Sequence, residues 1–164
     1  MFLTICLSVL IWISIVVMLY SAVALIQNRK LFGSAPKDIQ AAMVDHEERF
    51  RGAHLIGWIL LIVSALLITF VIVYGAWDGI QNNFNFWNFF VRFLIMALLY
   101  KLFDMFVFDW ILLTKAHFYQ KYYPETEGCK SYDNYGFNLK SQLLKLFIVF
   151  PLIALLLAFI CSLI

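Results

Sequence analysis

Four stretches of this chain, Met1–Ile26, Leu55–Trp77, Phe89–Leu113 and Leu146–Ile164, are long and predominantly apolar. A helix of about 20 such residues covers the roughly 30 Å hydrocarbon core of a bilayer, so each stretch is read as a spanning helix. Composition agrees: 64% of the 164 residues are hydrophobic and 13% charged, whereas soluble domains are usually about 45–50% apolar. The expectation is an all-α, polytopic membrane protein. A four-helix transmembrane bundle would form one domain over residues 1–164, with loops at 27–54 and 114–145. A net charge of +2 gives no ground for nucleic acid as a partner.

No Lys or Arg precedes Arg29, so the first stretch lacks the basic start of a signal peptide. It is expected to stay as a helix, although Ala22-Val23-Ala24 loosely imitates a cleavage site. The basic residues fall in the first loop (Arg29, Lys30, Lys37, Arg49, Arg51) and the third (Lys115, Lys121, Lys130, Lys140), with Lys145 just beyond. None lies between Asp78 and Asn88. The positive-inside rule then places loops one and three in the cytoplasm and both termini outside, with Trp77 and Trp87 as interfacial anchors. Cys6 and Cys161 would lie near the outer ends of helices one and four. A disulfide between them is open, though free buried cysteine is the commoner state. Cys129, in a cytoplasmic loop, is expected to be reduced.

Within the first loop Ser34 is placed to cap a helix opened by Pro36. Ile39, Met43, Phe50 and Ala53 recur at helical spacing, which predicts an amphipathic helix leading into helix two, with Glu47 and Arg51 as an i,i+4 pair. The third loop carries Tyr119, Tyr122, Tyr123, Tyr132 and Tyr135. Disordered segments are poor in aromatics, so this loop is expected to fold against the inner mouth of the bundle or the headgroup layer. Pro124 should stop the extension of helix three, with turns at Gly128 and Gly136.

The third stretch carries Lys101, Asp104 and Asp109, with Arg92 near its other end. A charge at the bilayer centre costs about 2.5 kcal/mol or more. Lys101 and Asp104 stand in the i,i+3 relation in which opposite charges meet. At 100° per residue Asp109 falls about 140° round from Asp104 and about 12 Å from Lys101, so it needs a partner from another helix. Arg51 and His54 on helix two, and Ser141, Gln142 and Lys145 on helix four, are expected at its level. Pro151 would leave the Phe147 carbonyl without its helical donor, an acceptor for Lys101. The candidate ligand pocket is therefore Lys101, Asp104, Asp109, His54 and Lys145, in the cytoplasmic half. Fixing helix register is the competing role for such pairs. Arg92, one turn from the outer boundary, is expected to snorkel to headgroups.

No metal site is expected. His46 and His54 share a helical face but stand two turns, about 12 Å, apart. No nucleophile–base pair, phosphate loop or dinucleotide glycine pattern occurs, and nothing indicates a cofactor.

Two resemblances add to this. Phe103-Asp104, Phe108-Asp109-Trp110, Pro124-Glu125-Thr126-Glu127-Gly128 and Tyr132 with Tyr135-Gly136-Phe137 resemble a pattern of uncharacterised bacterial four-helix membrane proteins, over roughly the C-terminal half. That likeness implies a bacterial inner membrane. Glu48-Arg49-Phe50-Arg51-Gly52-Ala53-His54 resembles a stretch of the MAPEG family, membrane glutathione transferases and their relatives. That family continues with a glutathione-binding Asn and Glu, whereas Leu55, Ile56, Gly57 and Trp58 follow here.

The function expected is that of a non-catalytic integral membrane protein, an accessory subunit or a lipid- or partner-binding bundle. Membrane lipids, a second copy or a partner membrane protein are its expected partners, and Ala53-x-x-x-Gly57 is a candidate oligomer contact. The alternatives are a MAPEG-like membrane enzyme acting on a lipophilic substrate, with Asp104 or Asp109 as acid or base, and a small oligomeric transporter or channel.

Overall fold

The computed structural model describes residues 1–33, 35–134 and 138–164. All regular structure among them is helical. Three helices are long and apolar enough to cross a membrane: α1 (Phe2–Ile26), α3 (Ala53–Gln81) and α6 (Leu139–Ser162). Between them lie the short α2 (Lys37–Ala42), α4 (Phe86–Phe103) and α5 (Phe118–Tyr122). The stretch read as a third span is helical throughout, because α4 continues as a π-wound segment from Asp104 to Lys115.

The serines of α1 are satisfied within the helix. Ser8, Ser14 and Ser21 each donate to the carbonyl four residues back, at 2.7–2.8 Å, so these three hydroxyls need no outside acceptor. Gln27 ends α1 in the left-handed region (φ 51°) and returns its N–H to the Ala22 carbonyl. Within α6 a π turn over Lys145–Val149 precedes Pro151, where the Phe150 N–H bonds the Lys145 carbonyl. The widened turn sets Pro151 in the first turn of a fresh α segment, the place where a missing N–H is harmless.

The chain divides into two compact units. The first comprises Met1–Ser14, Leu66–Asp104 and Asn138–Ile164. Here α4 packs along the C-terminal part of α6, which turns the small residues Ala154 and Ala158 inward. Tyr100 meets Phe150 edge-on, while the Trp12 ring stacks on Phe103 and its indole N–H donates to the Leu99 carbonyl at 3.2 Å. At the end of α3, Gly79 lies against the Phe89 ring and Gly75 near Leu7, so α4 approaches closely.

The second unit comprises Ile15–Ala65 and Met105–Phe137. Its core gathers Val23 and Ala24 from α1, Phe32, Ile39 and Met43 from the first loop, and Leu113, Tyr122, Tyr123 and Tyr132. The tyrosine-rich loop is thus folded, against the first loop and the helix ends of its own unit. It turns at Gly128 (φ 86°), whereas Gly136 lies outside the described residues. The helical run breaks at His117 (φ 49°), before Pro124 is reached.

The amphipathic helix expected in the first loop is corrected to six residues, Lys37–Ala42. Ile39 and Met43 are buried as the pattern required, but Phe50 is exposed. Tertiary partners take the amides that a longer helix would have used. The Val44 N–H donates to the Glu125 carboxylate at 3.1 Å, and the His46 N–H to the Gln27 carbonyl at 3.3 Å. Glu47 and Arg51 consequently do not share a helix; Glu48 instead accepts the Gly52 N–H at 2.9 Å, just ahead of α3. Ser34, the expected cap, lies outside the described residues, and Pro36 stands at the cap position.

Candidate functional site

The two basic loops are fastened by a set of buried and half-buried polar contacts. Gln27, held by its left-handed backbone, donates its side-chain amide to the Tyr122 carbonyl at 3.0 Å. His46 Nε2 lies 2.9 Å from the Glu125 carboxylate, and the same oxygen accepts the Val44 N–H. Asp38 accepts the Ser131 N–H at 3.0 Å. Phe32 and His46 both stand edge-on to the Tyr123 ring, at 5.3 and 5.1 Å. Each neutral hydrogen bond of this kind contributes about 1 kcal/mol net, and more where a carboxylate accepts.

Those contacts set the local electrostatics. Burial pushes the Glu125 carboxyl up, but the hydrogen bonds from His46 and the Val44 N–H outweigh it and hold the group below the usual range. The hydrogen bonds from Ser131 lower Asp38. Burial drives the Tyr123 phenol well above its ordinary value and, against the Thr126 hydrogen bond, pushes Tyr132 up to about 12. Both phenols therefore stay neutral and serve as hydrogen-bonding and packing groups. The Tyr132 hydroxyl meets Thr126 Oγ1 at 2.7 Å, while that of Tyr123 is buried with no partner among the described residues.

Beside this core the second unit holds a recess of about 90 Å³. Leu19 and Ala22 of α1 form part of its wall, with Leu31, Phe32 and Pro36 from the first loop. Phe108, Asp109 and Leu113 from the π-wound segment, with Tyr119 of α5, complete it. Asp109 and Tyr119 are the lining residues with polar side chains among those described, and the others are apolar or aromatic. Such a site has room for a small group, and its described lining residues offer no nucleophile–base pair.

Of the five candidate residues, Asp109 lines this recess and the other four are not among its walls. Lys101 is buried and donates to the half-buried Asp104, so its ammonium goes to a carboxylate and not to the Phe147 carbonyl. The 100° step used to place Asp109 does not hold past Asp104, because the backbone there is wound with i→i+5 bonds, as from Ala116 to Ile111. His54 Nδ1 lies 3.8 Å from Glu48, and its Nε2 has no partner among the described residues. Lys145, in the other unit, is exposed.

Arg92 requires a correction. It does not snorkel: it is only 5% exposed, paired with Asp78 at 2.8 Å and donating to the Gly75 carbonyl at 2.6 Å. Its guanidinium also lies over the Phe84 ring at 4.3 Å. The cause is that α3 runs past Trp77 to Gln81, which makes Asp78 helical and not part of a loop. Gly75-x-x-x-Gly79 was the available signal, since small residues four apart mark close helix approach. A second correction concerns Ala53-x-x-x-Gly57. Both residues are buried within the chain, and a Cβ on Gly57 would stand 2.7 Å from the Ile26 side chain. That stretch is already occupied and is not free as an oligomer contact. Cys6, Cys129 and Cys161 are all free thiols.

Compared with protein-family models, with curated proteins and with solved structures, the chain matches none.

Proposed function

We propose that this chain is a non-catalytic integral membrane protein of four spans, a binding module whose ligand contacts lie in the unit built from the two basic loops. The observation that carries the reading is the apolar recess with one carboxylate, held by loops that are folded around buried tyrosines. A small recess in a folded loop unit, with no nucleophile–base pair among its described lining residues, fits binding of a small group better than turnover. In this reading the helical run from Phe86 to Lys115 crosses the bilayer with α1, α3 and α6, and the Lys101–Asp104 pair lowers the cost of its charges. The basic loops face the cytoplasm and the termini face outward. The resemblance of the C-terminal half to bacterial four-helix proteins supports an inner-membrane setting.

A photoreactive benzophenone residue at Leu31 tests the binding. In native membranes it should crosslink a lipid or one partner membrane protein. Crosslinking only within the same chain would remove the case for a binding recess. Topology is tested by an impermeant thiol reagent on Lys130→Cys in a background with Cys6, Cys129 and Cys161 all replaced by Ser. Labelling should require opened cells, and labelling of intact cells would overturn the orientation.

A further inference from the structure

The buried Tyr122 ring receives cations from two segments far apart in the chain. The Arg49 guanidinium stands over it at 5.0 Å and the Lys121 ammonium at 5.8 Å. Both side chains belong to exposed residues, and among the described residues no carboxylate lies within 4.0 Å of either cation. Asp45 is paired with Arg29, Glu125 with His46, and Glu48 with His54, while Asp38 accepts the Ser131 N–H. Glu47, Glu127 and Asp133 are exposed and pair with neither cation.

Tyr20 of α1 gives these cations a depth. Its exposed ring meets the Tyr122 ring edge-on at 6.4 Å. The 19 residues from Phe2 to Tyr20 make about 28 Å of helix, close to the roughly 30 Å hydrocarbon core. With α1 spanning the bilayer, Tyr20 falls at the inner boundary, where tyrosine sits at headgroup level. The contact with Tyr122 then brings Arg49 and Lys121 to that level. Basic groups at the inner surface attract anionic headgroups, and the ring contacts already order these two, which lowers the cost of binding.

We propose that Arg49 and Lys121, held on the Tyr122 ring, bind the phosphates of anionic phospholipids in the inner leaflet. None of Tyr20, Arg49, Lys121 and Tyr122 belongs to the walls of the recess. The proposal is therefore separate from the recess and rests on the spanning and orientation of α1. A zwitterionic headgroup offers the same phosphate with an ammonium that both cations repel, so net negative charge is what the pair selects.

Native mass spectrometry of the full chain, offered dioleoyl phosphatidylglycerol and phosphatidylcholine at equal concentration, tests this. Phosphatidylglycerol should be retained more than about tenfold over phosphatidylcholine. Arg49→Gln and Lys121→Gln should each cut that ratio about fivefold, the factor that about 1 kcal/mol per basic residue produces. Arg49→Lys, which keeps the charge, should keep most of the ratio. Arg51→Gln removes an exposed charge that has no ring contact among the described residues, and it should also keep most of the ratio. If Arg51→Gln lowers the ratio as far as Arg49→Gln, the loops act by summed charge and the site falls. Equal retention of the two lipids by the unaltered protein overturns the proposal and leaves the spanning reading in place. Retention of neither overturns both, whereas crosslinking from Leu31 reads the recess separately. Displacement of phosphatidylglycerol by excess inorganic phosphate would overturn the lipid as the source of the phosphate.

Discussion

Asp78 and Arg92 meet at 2.8 Å where α3 ends and α4 begins, and the guanidinium is also bound to the Gly75 carbonyl and covered by the Phe84 ring. The two residues are unequal partners: the Arg92 side chain is 5% exposed and that of Asp78 21%. The cation is therefore the more dependent member. With the Gly79–Phe89 contact, the pair fixes how the second and third long helical runs leave their connecting turn.

Removing the carboxylate should consequently cost more than removing the cation. Asp78→Ala leaves a buried guanidinium uncompensated, with an expected loss of about 3 kcal/mol, whereas Arg92→Leu leaves a partly wet carboxylate and costs less. The double variant Asp78→Leu with Arg92→Leu should lose less than the two single losses added together. Denaturation in mixed micelles measures all four proteins. Strict additivity would show that the pair is not coupled.

Lys101 and Asp104 should behave similarly. Lys101→Met and Asp104→Leu are each expected to destabilise, and together to be tolerated better than either alone. If the double variant is stable yet loses lipid or partner retention, the pair serves binding as well as folding.

The His46–Glu125 contact makes the loop unit acid-sensitive. Glu125 is held below its usual range in the folded chain. The unfolded chain therefore takes up the proton first as pH falls, and the stabilisation present above the unfolded value is lost as pH drops through the folded one. Asp38, also lowered, acts in the same direction. Glu125→Gln should cost about 1 kcal/mol near neutral pH and flatten the acid limb of the stability profile. Exchange of the Val44 amide should quicken in that variant. A profile identical to that of the unaltered chain would show that Glu125 does not contribute.

Gly57→Leu should be poorly tolerated. Even a Cβ there would come within 2.9 Å of the Leu25 Cβ, besides its approach to Ile26. Overpacking of a close helix contact costs about 1–3 kcal/mol. Leu55→Ala is the control, since Leu55 is exposed and its loss should leave thermal stability nearly unchanged.

What the sequence determined by itself was whatever depends on neighbours along the chain. Runs of apolar residues led to three membrane-length helices and to helical structure through the charged segment, and the tyrosines of the third loop marked it as folded. The i,i+3 spacing that lets Lys101 reach Asp104 is local in the same way. Tertiary structure alone decided the partners of groups far apart. It matched Arg92 with Asp78, joined Gln27 to Tyr122, set Gly57 against Ile26, and ended α2 at Ala42 by giving the amides of Val44 and His46 other acceptors. The reason is physical. Periodicity and backbone sterics act over a few residues, whereas a buried charge or amide takes whichever partner the packing of distant segments brings within about 3 Å.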